Sequence, residues 1–503
     1  MTAVRRDFRT DRCLTRIVAT VGPASATPAM LARLVRAGVS VFRLNLSHGD
    51  PPTHARTLAA IRGVARDLRV EVGVLADLPG PKIRLTAIDG GGAIPLRHGD
   101  PVVVVPGTAP IDPERRPVTL RVDYPRFGTD VRIGDRVLID DGAVQLRVRR
   151  VRRGAVECTC EVGGTVSGRK GVNLPETAVG LRAPTARDRV LADWAVRHGA
   201  DFVALSFVQG PADLRSLRRA LERSAAAHRG RMPGIVAKIE RPVALGALDS
   251  IAAEADAMMV ARGDLAIELD FARVPVEQRR IQAACDRAAI PCIVATQMLQ
   301  SMMEAPLPTR AEASDVANAI FGGADAVMLS GETAAGRYPA ESVDAMRRIA
   351  ITTERWIAAH PGEAGPTDGA HHARLAAAAR DHAPAAEVLA RSIAQLATEA
   401  GARAVIAWTD AASLRFISQT DLGVPVYAFG DRDTELRSLA LLRGVEAIRL
   451  PHPQDSRDFV RAAEALLRKA RLLGSRDRVV VATGFAGRGT ERLWLRQVGA
   501  RAV

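Results

Sequence analysis

Lys238 and Glu240 stand two residues apart in the run Ile235-Val236-Ala237-Lys238-Ile239-Glu240, whose apolar and β-branched content predicts a strand. Side chains at i and i+2 of a strand share a face, so an ammonium and a carboxylate point the same way. The next strand-like stretch, Ala257 to Asp264, ends Arg262-Gly263-Asp264 and delivers a second acid. Glu240 and Asp264 can then converge on one cation from neighbouring strands. Two carboxylates, with the remaining positions left to substrate oxygens and water, suit magnesium or manganese. The plainer alternative is a buried salt bridge of Lys238 with Glu240 or Asp264. Charges packed this densely seldom serve stability alone, which favours the chemical reading.

An earlier run, Val41-Phe42-Arg43-Leu44-Asn45-Leu46-Ser47-His48-Gly49, puts Arg43, Asn45 and Ser47 at i, i+2 and i+4. On a strand these share one face, an arginine fork beside two neutral oxygen-bearing side chains, which suits clamping a phosphate. Lysine usage adds a pointer. Of 70 basic residues only Lys82, Lys170, Lys238 and Lys469 are lysine. An ammonium is a compact point charge and a guanidinium a wide planar fork, so a tight site can demand the former. Lys82, Lys170 and Lys238, which fall within the chemically dense runs, become candidates.

Such residues need a scaffold that brings many strand ends to one place. Strand-like runs occur at Arg16 to Val21, Val39 to Leu46, Glu71 to Leu78, Asp201 to Phe207, Gly234 to Glu240, Ala257 to Asp264, Pro291 to Met298 and Ala326 to Ser330. Amphipathic segments of 3.6-residue period lie between them, such as Pro28 to Ala37 and Val276 to Ala289. Eight such units predict a TIM (β/α)8 barrel with its active site at the C-terminal strand ends. The rhythm breaks after the third strand. From about Thr86 to Gly171, short alternating pieces with turn signals at Asp89-Gly90 and Asp141-Gly142 predict an all-β insertion that closes as a lid. His360 to Pro384 reads as a linker. Beyond it, Ala404 to Trp408, Val424 to Phe429, Glu446 to Leu450 and Arg478 to Thr483 alternate with helical patterns and predict a doubly wound α/β domain. No GxGxxG follows its first strand, which argues against a dinucleotide site. The expected division is a barrel over 1–86 and 172–355, an inserted small β-barrel lid over 87–171, and a C-terminal α/β domain over 356–503.

Composition removes several classes. A chain of 503 residues exceeds one core. No apolar run approaches the roughly 20 residues of a membrane helix. Arg5-Arg6-Asp7-Phe8 carries an export-like arginine pair, but Asp11, Arg12 and Arg16 break up the residues after it and leave no apolar segment, so a cytoplasmic protein is expected. Cys13, Cys158, Cys160, Cys285 and Cys292 are odd in number and form no CxxC pair, which speaks against a zinc site or disulfide framework. Cys158 and Cys160 are expected to pack. The formal charge of +14 invites nucleic acid. Three Tyr, four Trp and eleven Phe are too few for a stacking platform, and Arg147 to Arg153 reads as a strand with a solvated arginine face. No nucleic-acid or membrane partner is expected.

Further runs complete a pattern: Ile17-Val18-Ala19-Thr20-Val21-Gly22-Pro23-Ala24-Ser25, Lys170-Gly171-Val172-Asn173-Leu174-Pro175, Ala295-Thr296-Gln297-Met298-Leu299, Pro308-Thr309-Arg310-Ala311-Glu312 and Met328-Leu329-Ser330-Gly331-Glu332-Thr333. In this order, together with the Arg43, Lys238 and Asp264 runs, the chain from about Arg16 to Ile349 resembles the pyruvate kinase family. The resemblance implies transfer of the phosphoryl group of phosphoenolpyruvate to ADP, with Glu240 and Asp264 as ligands of Mg2+ or Mn2+. It makes Lys238 the cation beside the phosphoryl in flight. It implies that Arg43, Lys238, Gly263, Asp264 and Thr296 bind phosphoenolpyruvate, that Thr296 lies on the path of the proton delivered to the enolate, and that Asn45, Arg84 and Lys170 contact nucleotide phosphates. A homotetramer is implied as well.

One run departs informatively. Potassium-requiring members resemble Asp-Thr-Lys-Gly-Pro-Glu-Ile-Arg-Thr where this chain has Asp77-Leu78-Pro79-Gly80-Pro81-Lys82-Ile83-Arg84-Leu85. The equivalents of the monovalent-cation site are Asn45, Ser47, Asp77 and Leu78. Lys82 brings a tethered ammonium in place of a glutamate's negative charge, so potassium independence is expected; the alternative is a Lys82 turned to solvent. In the C-terminal domain, Thr409-Asp410-Ala411-Ala412-Ser413 carries an acid and no glycine where the family's effector loop is rich in Gly, Ser and Thr, a poor cradle for a sugar phosphate. Arg488-Gly489-Thr490 is left with some anion affinity. A carbon–carbon lyase would share the acids but not the lid and nucleotide contacts. A binding protein that had lost catalysis would lack Lys238, Glu240 or Asp264.

Overall fold

Eight short apolar runs become parallel strands: β1 (Arg16–Thr20), β2 (Val41–Asn45), β3 (Gly73–Leu78), β4 (Phe202–Leu205), β5 (Gly234–Ile239), β6 (Ala257–Ala261), β7 (Cys292–Ala295) and β8 (Ala326–Leu329). The computed structural model describes residues 13–360 except 153 and 178, and 385–499 except 409–410, 421 and 485–491. The eight strands close in chain order, β8 pairing back onto β1. Their residues are nearly all buried because side chains fill one face and helices cover the other. Val18, Val41, Leu75, Val236, Met259, Ile293 and Met328 pack the interior. Ile17, Phe42, Ile235 and Val260 turn outward to the helices.

The helices are punctuated by side-chain chemistry. Thr27 and Asp50 accept the backbone N–H of Met30 and Thr53, each just before a proline in the first turn. Thr185 with Asp188 and Thr309 with Glu312 form reciprocal capping boxes.

The sixth predicted strand is too long. β6 stops at Ala261, and Arg262–Glu268 is a helix. The apolar run ends at Ala261, and Arg262 turns to reach the carbonyls of Ala295 and Thr296 and the carboxylate of Asp315. Asp264 therefore comes from the first turn of a helix and not from a strand end.

The insertion between β3 and β4 builds a seven-stranded sheet and a two-stranded sheet around its own core, which includes Val104, Leu120, Phe127, Val137, Leu146 and Val156. Cys158 and Cys160 are buried in that core. The chain enters the larger sheet at Ile83–Arg84 and leaves it at Gly171–Asn173, and the two pieces pair antiparallel. Both crossings thus lie side by side as one hinge.

The C-terminal sheet has the order β11-β10-β9-β12-β13, with β9 (Ala404–Trp408), β10 (Val426–Gly430), β11 (Val445–Arg449) and β12 (Arg478–Thr483) parallel and β13 (Arg492–Gln497) antiparallel at the edge. Separate apolar clusters cover its two faces, the doubly wound arrangement. β13 has no counterpart among the predicted strands; its arginine-rich, half-exposed pattern gives little apolar signal. This unit plugs the N-terminal end of the barrel. Leu441 joins the barrel's interior cluster, Arg16 Nε donates to the Leu442 carbonyl at 2.7 Å, and Gln419 donates to Asp325 at 2.8 Å. The expected linker residues beyond His360, the arginine pair near the N-terminus, Thr409-Asp410 and Arg488-Gly489-Thr490 lie outside the described residues.

Candidate active site

At the C-terminal mouth of the barrel, Lys238 is the hub. Its Nζ lies 2.9 Å from Glu240 Oε1 and 3.3 Å from Asp77 Oδ1, and it donates to Ser206 Oγ at 2.6 Å. Burial alone would weaken the ammonium's hold on its proton. Asp77 and Glu240 outweigh that, so Lys238 holds its proton more tightly than an ordinary lysine. Asp77 is shared: Arg43 donates to its Oδ2 through Nε at 2.7 Å and lies within 2.6 Å through Nη2. Arg43 Nη1 donates to Thr20 Oγ1 at 3.1 Å. One buried carboxylate thus aims two cations into the mouth. Asp77 is legible in sequence as an acid at a strand end, but its partners are not. Ser206, just past β4, is missed altogether; its only signal is a polar residue closing an apolar run.

Glu240 is 1% exposed and accepts the Phe207 N–H at 2.6 Å. Phe207 adopts a left-handed backbone, φ 58°, which points its N–H there. Gly80 is required beside it: a Cβ at Gly80 would sit 2.9 Å from the Phe207 ring and from the Ser206 carbonyl, and its own φ is 66°. Burial pushes the Glu240 carboxyl up to about 7, Lys238 pulling it back and Asp264 adding to the rise. A carboxylate so reluctant to ionise beside a second acid is what a divalent cation would relieve. The donors are all oxygen, as a hard cation prefers. Among the described residues no third His, Cys, Asp or Glu completes a cluster, so the remaining positions fall to substrate and water. The residues fit the metal.

Thr296, just past β7, has φ 70°, and Gln297 φ 53°. For a β-branched residue this is strained backbone. Its hydroxyl donates to Ala295 O at 2.6 Å and accepts the Gly263 N–H at 2.7 Å. Arg262 Nη2 clamps the Thr296 carbonyl at 2.8 Å. Gly263, Asp264 and Thr296 are therefore tied into one wall.

The hinge and the lid supply the opposing wall. Lys82 Nζ stands 3.9 Å from Asp264 Oδ1 and 3.8 Å from Asp141 Oδ1, with its side chain 28% exposed. The ammonium faces the mouth and not open solvent. Its ion pairs are with these two acids, while Asp77 is paired with Arg43 and Lys238. Lys170 Nζ pairs with Asp140 at 2.9 Å. Asp140 and Asp141 both adopt left-handed backbone, φ 54° and 55°, and so present both carboxylates on one tight turn. Arg84 Nη1 donates to the Arg169 carbonyl at 3.2 Å. Asn173, where the chain leaves the lid, donates to buried Glu268 at 2.9 Å. Among the described residues its Oδ1 and the nearby Arg241 Nε are buried without a hydrogen-bond partner.

The β2 expectation needs one correction. Ser47 lies past the strand end in a turn, where its N–H donates to Asn45 Oδ1 at 3.2 Å. The i, i+2, i+4 alignment on one strand face holds for Arg43 and Asn45 only. Asparagine closing a turn on its own backbone competes with continued pairing. Leu78, at the end of β3, is fully buried.

A closed parallel barrel with a lysine–carboxylate cluster at its strand ends, beneath a hinged β lid rich in arginine, defines a lidded barrel phosphotransferase. Comparison with known proteins names the family. Residues 13–343 match the family model "Pyruvate kinase, barrel domain", and residues 387–492 match "Pyruvate kinase, alpha/beta domain". A pyruvate kinase of Agrobacterium vitis is 39% identical over 93% of this chain and 94% of its own length. One from Geobacillus stearothermophilus is 37% identical over 93% of this chain and 77% of its own. A crystal structure of a pyruvate kinase from Cryptosporidium parvum, 31% identical, superposes with a TM-score of 0.89 over 98% of this chain and 97% of that one. The chain belongs to the pyruvate kinase family, divalent-metal-dependent phosphotransferases that turn phosphoenolpyruvate and ADP into pyruvate and ATP.

Proposed function

We propose that this pyruvate kinase works with Mg2+ or Mn2+ held by Glu240 and Asp264, needs no potassium, and acts as a cytoplasmic homotetramer. The observation that carries the reading is the Lys238 ammonium, buried, protonated and fixed by Asp77, Glu240 and Ser206 at the barrel mouth. No helix among the described residues is long and apolar enough to cross a membrane. The division into barrel (1–86 and 172–355), lid (87–171) and C-terminal domain (356–503) belongs to this reading.

Phosphoryl transfer spreads negative charge over the phosphoryl oxygens, so catalysis rests on positioning and preset positive charge. Arg43 receives the phosphate of phosphoenolpyruvate, its guanidinium oriented by Asp77 and Thr20. Lys238 stands beside the phosphoryl and stabilises its charge without reorganising. Gly263, Asp264 and Thr296 line the rest of that substrate. Asn45, Arg84 and Lys170 take the nucleotide phosphates, with Lys170 exchanging Asp140 for phosphate as the lid closes. Glu240 and Asp264 would hold the divalent metal, which would supply positive charge against the phosphoryl group in transfer. Thr296 directs the proton that converts the enolate to pyruvate. Lys82, facing Asp264 and Asp141, supplies positive charge to the mouth in place of potassium, whose site in potassium-requiring members corresponds to Asn45, Ser47, Asp77 and Leu78.

The test is pyruvate formation from phosphoenolpyruvate and ADP with magnesium in potassium-free Tris, then with potassium added. Full activity in the first buffer is expected. Activity only after potassium would overturn the role given to Lys82 and keep the rest.

A further inference from the structure

Opposite the active site, a cavity of about 330 Å3 lies between the N-terminal ends of β4 and β5 and the C-terminal unit. Arg218 and Arg231 line it from the barrel, and Arg415 and Ser438 from the C-terminal unit. Asp256 is the one acid in the lining, and it is already engaged by the Ile235 N–H at 2.8 Å and by Arg218 at 3.5 Å. Arg218 also donates to the Glu254 carbonyl at 2.8 Å, and Arg231 donates to the carbonyl of Thr434 across the junction. Arg415 is different. Its Nε is buried with no hydrogen-bond partner among the described residues, and its guanidinium lies 5.6 Å from the Phe416 ring centre.

Three guanidinium groups against one occupied carboxylate leave this cavity with surplus positive charge. A guanidinium fork matches phosphate oxygens in pairs. A cavity of a few hundred Å3 with apolar walls and a few convergent polar groups is ligand-sized. Leu441 and Phe202 supply such walls here. We propose that this cavity binds a small phosphate monoester. Its phosphate sits against Arg231 and Arg415 and its carbon body against Leu441, so that occupancy ties the barrel to the C-terminal unit. The site lies at the far end of the barrel from the Lys238 cluster, and none of its residues belongs to the catalytic set.

The experiment is calorimetric titration of the full chain with inorganic phosphate and with glycerol 3-phosphate, comparing wild type with Arg415→Ala and Arg231→Ala. Phosphate binding at the active site is common to all three proteins, so the difference reports the cavity. Expected are binding about tenfold weaker in each variant, tighter binding of glycerol 3-phosphate than of phosphate, and an unchanged kcat. Equal affinity in wild type and both variants overturns the site, as does no binding to wild type. Equal affinity for the two probes overturns the monoester assignment. Should Arg415→Ala fail to fold, Arg415→Gln and Arg218→Ala carry the same comparison.

Discussion

The ammonium of Lys82 stands 3.9 Å from the Oδ1 of Asp264, bringing positive charge from the lid hinge to a carboxylate at the barrel mouth. Lys82→Glu would place a third acid beside Asp264 and Asp141. Like charges about 4 Å apart repel by up to a few kcal/mol when partly shielded. The expected outcome is a loss of about tenfold or more in kcat/KM in potassium-free buffer, largely restored by added potassium. A potassium titration of wild type and variant checks it; a loss that potassium does not restore would count against the role given to Lys82.

Lys238→Met removes the cation that Asp77 and Glu240 hold in place. Loss of one preset charge-stabilising group typically costs about 10²- to 10³-fold in kcat. Steady-state kinetics should show kcat falling by that order with a much smaller change in the KM for ADP. Near-wild-type kcat would remove Lys238 from the reaction.

Asn173 anchors the lid exit to Glu268 at 2.9 Å. Asn173→Ala leaves that buried carboxylate without its amide donor, at a cost of about 1–3 kcal/mol. Because the contact fastens the hinge to the barrel, hydrogen exchange should quicken across the hinge strands Ile83–Arg84 and Gly171–Asn173 while the eight barrel strands stay protected. Uniform loosening of the whole chain would show that the contact serves global stability instead.

Glu312 ties two segments together. It caps its own helix through Thr309 and accepts the Ser301 N–H at 2.7 Å. Burial alone would raise its pKa, but the hydrogen bonds from Ser301 and Thr309 more than reverse that and hold it below the ordinary glutamate value. A depressed folded-state pKa gives stability that is present above the unfolded value and lost as pH falls through the folded one. Glu312→Gln should lower stability by about 1–2 kcal/mol near neutral pH. The gap to wild type should narrow as pH falls below the ordinary glutamate value of about 4.3. Denaturant unfolding at pH 7 and pH 3.5 measures both, and a gap that does not narrow would contradict the ionic account.

Much of the active site is readable because strand periodicity and strand-end position coincide. Lys238, Glu240, Arg43 and Asp77 all close apolar runs, and a barrel brings such ends together. What does not read is partnership across the barrel. Ser206 meets Lys238 over 32 positions, and Asp141 faces Lys82 from a turn that in sequence is only a turn. Ser47 and Asp264 mislead for different reasons: a local bond turns Ser47 back onto Asn45, whereas the run before Asp264 is drawn off the strand by long-range bonds of Arg262 and Gly263 to the segment after β7.

By itself, then, the sequence determined the eight-unit barrel, the inserted β lid, the C-terminal sheet and the residue types of the reaction, because burial pattern and turn chemistry are local properties. Only the tertiary structure decided which charges share a partner, that Lys82 faces Asp264, that Asn173 fastens the lid, and that a cationic cavity opens at the barrel's far end. Those depend on distances between segments far apart in the chain, and no local pattern encodes them.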